Sequence, residues 1–295
     1  MTASIDSLIH LTDLHFWQVV GNPLLLLNKR FLGNANVIYR RRHEFHMENS
    51  IAYTDHVASL GINNVLIGGD FTSTATPREF QRGKAFVDGL VDKGLQVDLM
   101  PGNHDVYTFE SLRTGRFSAY FGAFESPEGY PCRKTLPGGT PLLLVPTVCP
   151  NYLSSAGNIS EEEAEQTRAL LDACPAGPVI VAGHYPILHR TQHYSSGKSR
   201  QLRHAARLRA ALGESGRQIL YVAGHVHRFS YTEDSYYPNV HHLTSNAFFL
   251  QRPGEAVRGA FSVIHIDAAG FRVEWHEKRD HWEILHPECL PEPSV

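Results

Sequence analysis

Five short apolar runs in this chain end in the same way, and no other feature restricts its fold as tightly. Residues 8–11 lead into Thr12-Asp13, 65–67 into Gly68-Gly69-Asp70, and 95–100 into Pro101-Gly102-Asn103-His104-Asp105. Residues 179–182 lead into Gly183-His184, and 219–223 into Gly224-His225. Short runs rich in Val, Ile and Leu, closed by Gly or Pro or directly by a polar residue, are the pattern of strands buried on both faces. Helical signals lie between several of them. Thr76-Pro77-Arg78-Glu79 combines an N-cap, a proline at the first helical position and a capping-box glutamate, which predicts a helix to about residue 93. Ser160-Glu161-Glu162-Glu163 predicts another to about residue 173, and 43–60 and 200–212 also read as helices. Strands alternating with helices imply an α/β fold around a largely parallel sheet. Near the C-terminus, 229–237, 240–246, 259–267 and 271–278 read as consecutive strands with no helix between them. They predict a second, mostly antiparallel sheet in the same domain.

Composition permits this architecture. With 42% hydrophobic and 19% charged residues over 295 positions, the chain can bury a core. No run reaches the roughly 18 apolar residues of a spanning helix. The net charge of −3 gives no reason to expect a nucleic-acid partner. Cys132, Cys149, Cys174 and Cys289 form no C-x-x-C pair and read as thiols of a reducing compartment. Residues 1–7 lack the basic and apolar regions of a signal peptide. The expectation is a cytoplasmic protein, with peripheral contact to a membrane as an added option.

The polar residues at the run ends carry the chemistry. In open α/β sheets, functional groups gather beyond the carboxyl ends of strands. Here those places hold Asp13 and His15, then Asp70, then Asn103, His104 and Asp105, then His184, then His225 and His227. Strand alternation would put both members of each Asp-x-His or His-x-His pair on one face. Singly, each has a plain explanation as a hydrogen-bonded histidine, an N-cap or a turn. Five such coincidences at five strand ends point to one shared cause, a metal site with more ligands than a single ion needs. Of the 18 histidines, five fall at these positions.

In order, Asp13-Leu14-His15, Gly69-Asp70, Gly102-Asn103-His104-Asp105, Gly183-His184 and Gly224-His225-Val226-His227 resemble the five motifs of the calcineurin-like metallophosphoesterases. The resemblance runs from residue 13 to 227, with no motif position missing. It implies a four-layer α/β/β/α sandwich with two mixed β-sheets, and a binuclear metal-dependent hydrolase in which a metal-bridging hydroxide attacks a phosphoester. It assigns one ion to Asp13, His15, Asp70 and His227, and a second to Asp70, Asn103, His184 and His225, with Asp70 bridging. Nitrogen and oxygen ligands without thiolate favour Mn, Fe or Zn over Mg. Two ions about 3.5–4 Å apart can clamp a phosphoryl group during in-line displacement. By the same resemblance, His104 is the acid that protonates the leaving oxygen or stabilises the transition state, and Asp105 orients it. A carboxylate beside an imidazole does fix its tautomer and raise its pKa. The Gly-Asn-His-Asp and Gly-His-Tyr-Pro settings look similar to bacterial phosphodiesterases of the cyclic-nucleotide type, so a small-molecule phosphodiester is the expected substrate. The alternatives are a pyrophosphohydrolase acting on a nucleotide-linked lipid, as in UDP-diacylglucosamine pyrophosphatases, and a non-catalytic scaffold like the retromer subunit of this fold. A scaffold need not keep the ligand positions that this chain keeps.

The whole chain, 1–295, is expected to form one domain with a basic, apolar insertion at about 17–42 and a cap loop at about 186–203. Residues 14–43 contain no acid, while Lys29, Arg30, Arg40, Arg41 and Arg42 lie among Leu24 to Leu27, Phe31-Leu32 and Val37-Ile38-Tyr39. That pattern suits an interfacial helix or a clamp for an anionic amphiphile or membrane surface through 22–42. It equally suits a helical insertion covering the core, with its arginines merely solvated. Either way it forms a wall or lid of the pocket. Residues 188–203 hold His189, Arg190, His193, Lys198, Arg200 and Arg203, read as a solvated basic loop or as a substrate-phosphate wall in which His189, Arg200 and Arg203 are the candidates. Gly197-Lys198-Ser199 mimics the end of a phosphate-binding loop, but the glycine that motif requires at 192 is Gln192, and no strand immediately precedes it. The histidines outside the motifs read as structural or surface residues, with His241-His242 in a strand that could border the site.

Overall fold

The computed structural model describes residues 6–22, 26, 29–151, 154–191, 194 and 198–292. Two sheets stack face to face. The first contains, in spatial order, β14 (Trp282–Leu285), β13 (Gly270–Lys278), β12 (Ala260–Asp267), β1 (Asp6–Leu11), β2 (Asn64–Ile67) and β3 (Gln96–Leu99). The second contains β15 (Leu290–Pro291), β10 (Ser230–Glu233), β11 (Val240–Thr244), β9 (Ile219–Ala223), β7 (Val179–Ala182), β5 (Pro141–Leu144) and β4 (Cys132–Thr135). A separate parallel pair joins β6 (Gly157–Asn158) to β8 (Leu202–Arg203). β1, β2 and β3 run parallel, as do β5, β7, β9 and β11.

Alternation along these parallel strands explains why the runs are apolar throughout. In β1, Leu8 points between the sheets while Ile9 and Leu11 point the other way. In β9, Leu220 and Val222 point between the sheets, and Ile219, Tyr221 and Ala223 point outward. Each sheet therefore has two faces to cover. In chain order the helices are α1 (Arg30–Asn36), α2 (Arg42–Glu44), α3 (Ser50–Ser59), α4 (Pro77–Val91), α5 (Phe109–Arg113), α6 (Arg116–Phe121), α7 (Glu161–Asp172) and α8 (Ala205–Gly213). Tyr53, Phe80, Val87, Leu90 and Phe121 from α3, α4 and α6 pack on Ile9, Val65 and Ile67 of the first sheet. Leu171 of α7 and Leu208 and Leu212 of α8 pack on Val181 and Ile219 of the second. Between the sheets, Leu8, Leu66 and Ile264 meet Leu142, Ile180 and Val222. Burying each such side chain stabilises the fold by about 1.5–3 kcal/mol. The outcome is the α/β/β/α sandwich with two mixed sheets.

The capping boxes form as the sequence implies. Thr76 Oγ1 accepts from the Glu79 amide and Glu79 from the Thr76 amide, and Ser160 and Glu163 do the same at α7. Three expectations need correction. Residues 43–60 are not one helix: Phe45 is extended and bridges to Leu250, and helical structure resumes only through a 3₁₀ turn at Met47–Asn49. The Phe45 side chain is drawn into the core there, and packing overrides the helical pattern on either side. The helix expected at 200–212 begins at Ala205, because β8 pairs with β6 just before it and His204 adopts a left-handed conformation. The C-terminal strands form no sheet of their own. β10 and β11 extend the second sheet and β12 to β14 extend the first, where β1 and β9 would otherwise leave unpaired backbone groups at a sheet edge. All four cysteines are free thiols, and no helix among the described residues is long and apolar enough to cross a membrane.

One ionic knot ties the far edge of the second sheet to α8. Buried Asp234 accepts from Arg209 Nε and Nη2 at 2.8 and 2.6 Å, from His242 Nε2 at 3.0 Å, and from the amides of Tyr236 and Tyr237. Arg209 Nη2 also reaches Glu292 at 2.8 Å, beyond β15. His242 is thus structural and does not border the site. Burial opposes ionisation of Asp234, but His242, Arg209 and the two amides outweigh it and hold the carboxyl well below its usual range. Asp234→Asn should cost about 1–3 kcal/mol at neutral pH by leaving buried donors unsatisfied. A carboxyl with a depressed folded-state pKa stabilises above its unfolded value, near 4, and loses that contribution as pH falls. The stability gap between wild type and variant should therefore narrow between pH 5 and about pH 2, which denaturation midpoints across that range will check.

Candidate metal centre

The seven expected ligands converge, but not by strand alternation. β1 stops at Leu11 and β9 at Ala223, and the ligand residues lie beyond in tight loops. Asp13, His15, Asp70, His225 and His227 have φ of 53, 48, 57, 68 and 56°, all in the left-handed region. Side chains with a Cβ adopt that conformation at a cost of about 1–2 kcal/mol each, so such residues mark sites where geometry is enforced by the surroundings. The enforcement is visible. Asp13 N donates to Gly69 O at 3.0 Å, His15 N to Asp70 O at 2.8 Å, and Gly224 N to His184 O at 3.0 Å. The motif glycines permit this lashing: a Cβ on Gly102 would stand 2.2 Å from Asp70 N, and one on Gly224 2.1 Å from Thr12 Oγ1.

The ring nitrogens are sorted by their backbone partners. His15 Nδ1 donates to Thr72 O at 3.1 Å and His184 Nδ1 to Gly68 O at 2.9 Å, leaving each Nε2 as a lone pair. His225 is reversed: its Nε2 donates to Arg200 O at 2.9 Å and its Nδ1 faces inward. The free nitrogens meet oxygen ligands. His15 Nε2 lies 3.0 Å from His227 Nε2, 3.7 Å from Asp13 Oδ1 and 3.6 Å from Asp70 Oδ2. His184 Nε2 lies 3.4 Å from the same Asp70 oxygen and 3.1 Å from Asn103 Oδ1, which in turn is 3.0 Å from His225 Nδ1. Ligands about 2.0–2.2 Å from one ion sit about 3.0–3.6 Å apart. Asp13 Oδ1 is buried without a directed hydrogen bond, 3.1 Å from His227 Nε2. Orienting carbonyls behind three of the four imidazoles, an orphaned carboxylate oxygen and ligand-like spacings all fit metal ions, with Asp70 Oδ2 between the two groups.

Charge supports the same reading. Burial holds His15 well below the usual imidazole pKa, and it takes His225 down to about 3. Both rings are neutral, as ligation requires. Burial also opposes a proton on His184, but the Asp70 and Asp13 carboxylates and the Gly68 carbonyl draw its pKa up to about 9.

Asp105 does not orient His104. Its oxygens accept from the amides of Phe71, Thr72 and Gly102 and from Thr72 Oγ1, at 2.9–3.2 Å. It thereby fixes the turn that carries Asp70. Burial and the Asp70 charge push its pKa up to about 7 against the pull of those amides. The His104 ring is set by Ser73, whose carbonyl accepts from Nδ1 at 2.7 Å. Of the loop candidates, Arg200 lines the cavity, and its carbonyl anchors His225. His189 faces Leu202 O and a different cavity, and Arg203 reaches Gly157 O and Cys149 Sγ. His193 lies outside the described residues.

Arg41 was hidden in the sequence. Among three consecutive arginines only its burial singles it out, and spacing with Gly33, Val37 and Phe45 at steps of four was the available signal. The insertion is no solvated appendage here: α1 and the turn after it wall a cavity of about 460 Å³ whose lining includes Asp70, Asn103, His104, His225 and His227. Lys29 Nζ donates to Ser154 O at 2.7 Å and closes the wall against the segment after Cys149.

Residues 7–229 match the family model described as calcineurin-like phosphoesterase, and the chain belongs to that family. It is a metal-dependent phosphoester hydrolase. Comparison with curated protein sequences gives no match. A dimetal phosphatase from Danio rerio shares the fold with a TM-score of 0.58 at 13% identity, covering 97% of this chain and 100% of that one. A purple acid phosphatase from yellow lupin (Lupinus luteus) aligns with a TM-score of 0.58 at 10% identity over 95% of this chain and 53% of that one. For a 5'-nucleotidase from Candida albicans the values are 0.52, 14%, 94% and 52%. This chain thus spans about half the length of the last two.

Gly102→Ala should drive a Cβ onto Asp70 and lower metal affinity at least about tenfold. Gly89→Ala in α4, where the space is open, should leave it unchanged. Elemental analysis after reconstitution with Mn or Zn distinguishes the two.

Proposed function

We propose that the chain hydrolyses a small-molecule phosphodiester. The observation that carries this reading is that four of the seven expected ligands, Asp70, Asn103, His225 and His227, line a cavity of about 460 Å³ together with Lys29, Arg40, Arg41, Arg200 and Arg252. Such a volume takes a drug-sized ligand, room for both alcohol substituents of a diester. The setting of the Gly-Asn-His-Asp and Gly-His-Tyr-Pro motifs supports the same preference. Ions held by Asp13, His15, Asp70 and His227 and by Asp70, Asn103, His184 and His225 would supply Lewis-acid polarisation of the phosphoryl group and a nucleophile at neutral pH. The chain's own residues position and neutralise. Main-chain carbonyls of Thr72, Gly68 and Arg200 fix the imidazoles. His104 faces the cavity with its Nδ1 proton anchored on Ser73 O, so proton exchange is confined to Nε2. Burial and the Arg41 guanidinium keep this ring neutral in the free protein. An acid role then draws on the negative charge of the bound phosphoester, which favours the protonated ring. Asp70→Ala should lower metal-dependent turnover at least about a hundredfold on every substrate of a panel of monoesters, diesters, cyclic nucleotides and nucleotide–lipid diphosphates. Undiminished metal-dependent turnover would refute the assignment, and a wild-type preference for monoesters would refute the diester reading.

A second reading concerns the tail of the substrate. Phe31, Leu32 and Tyr39 are 62, 55 and 83% exposed on the insertion, beside exposed Arg42, and Leu32 and Arg40 line the cavity. Exposed aromatic and aliphatic groups next to cations suit an anionic amphiphile presented at a membrane surface, as a nucleotide-linked lipid diphosphate would be. The protein should then co-float with vesicles containing anionic phospholipid, and Phe31→Ser with Tyr39→Ser should abolish flotation. Absence of flotation by the wild type would remove this reading.

A further inference from the structure

Among the described residues Arg41 is a buried cation with no carboxylate at ion-pair distance. It ends a π-helical turn, Val37–Arg41, that follows directly on α1. Such wide turns recur where a helix must aim a side chain at a functional site. Gly33, two steps up the same buried stripe, sits so close to its neighbours that a Cβ would stand 2.8 Å from both Thr74 Cγ2 and Tyr107 Oη. That close seating carries Arg41 into the cavity with 8% of its surface exposed. Nη2 donates to His104 Nε2 at 2.9 Å. Nη1 lies 3.0 Å from His15 Nδ1, but that nitrogen already gives its proton to Thr72 O, so the guanidinium meets an N–H there and gains no acceptor. Among the described residues Arg41 forms no ion pair with a carboxylate, whereas Arg30 pairs with Glu110 and Arg40 with Glu44. The other cations at the cavity are engaged or exposed: Lys29 binds Ser154 O, Arg252 binds His227 O, and Arg200 is exposed at the rim. Burying an uncompensated charge is costly, and an anion entering the cavity would compensate it.

We propose that Arg41 is a catalytic residue of this chain, which receives a non-bridging oxygen of the substrate phosphoryl group through its guanidinium. The inference rests on the phosphoester hydrolysis proposed above and adds the side chain that holds the anion. A planar fork can give two parallel charge-assisted bonds to phosphate, and the donation from Nη2 to His104 Nε2 places that oxygen beside the ring. Charge accumulating on the equatorial oxygens in the transition state strengthens these bonds, so the contribution falls on turnover as well as on binding.

The test compares wild type, Arg41→Ala and Arg41→Lys after metal reconstitution, with calorimetric binding of inorganic phosphate and steady-state kinetics on bis(p-nitrophenyl) phosphate. Expected are unchanged metal content, at least tenfold weaker phosphate binding in Arg41→Ala, and kcat/KM lower by about 10²–10³-fold. Lysine should restore only part of the loss. Added guanidinium ion should rescue Arg41→Ala without stimulating wild type. Phosphate affinity in Arg41→Ala equal to wild type overturns the proposal. So does a loss that accompanies loss of metal and is recovered by neither lysine nor guanidinium, since that is a structural role. If wild type hydrolyses no phosphoester, the functional reading falls, while the phosphate affinities of wild type and variant still decide the role of Arg41.

Discussion

Two carboxylates, Asp13 and Asp70, are buried where the strand ends of the two sheets meet, and the groups that face them at ion-pair distance are imidazoles. Removing such charges from water is tolerable only if positive charge is supplied at the same spot. Much of the architecture follows from that requirement. The sheets stack so that β1, β2 and β3 deliver one part of the cluster and β7 and β9 the other. Five of the ligand residues hold left-handed backbones, and glycines remove the side chains that would keep the loops apart. Apolar layers on both sides of each sheet provide the rigidity against which this local strain is held.

The centre and its surroundings divide the work. The candidate ligands come from the ends of the parallel strands, the most constrained part of the fold. The cavity wall comes from α1 and the turn that follows, a segment inserted between the first and second ligand motifs. Asp105, although part of a motif, works through the backbone: it gathers three amides and fixes the turn beneath Asp70. A carboxylate used this way shapes a site without entering its chemistry.

The α/β/β/α layering, two of the helix starts and the gathering of the seven candidate side chains were legible in the sequence because each rests on a local signal: a run buried on both faces, a capping box, or a polar residue at a strand end. What was not legible depended on long-range contacts. Phe45 breaks a helical pattern because the core pulls its ring inward, and the C-terminal strands divide between two sheets because each sheet offers an edge to extend. Arg41 looks like its two neighbours until the π turn sets its direction. His189 and Arg203 lie in the expected segment, but their partners are Leu202 O, Gly157 O and Cys149 Sγ, away from the cavity. The left-handed backbone at Asp13, His15, His225 and His227 has only a weak signature in residue type, since Asp and His are enriched there but far less than glycine.

The hydrogen bond from His225 Nε2 to Arg200 O has a consequence for how this protein can change over time. The loop holds a candidate ligand through its main chain, so natural selection acts there on the route of the backbone and not on the identity of the side chain. Residue 200 can then drift in character, and with it the rim of the cavity, while the imidazole stays in place. Substrate preference and metal chemistry are in that sense separately heritable, although they meet at a single residue.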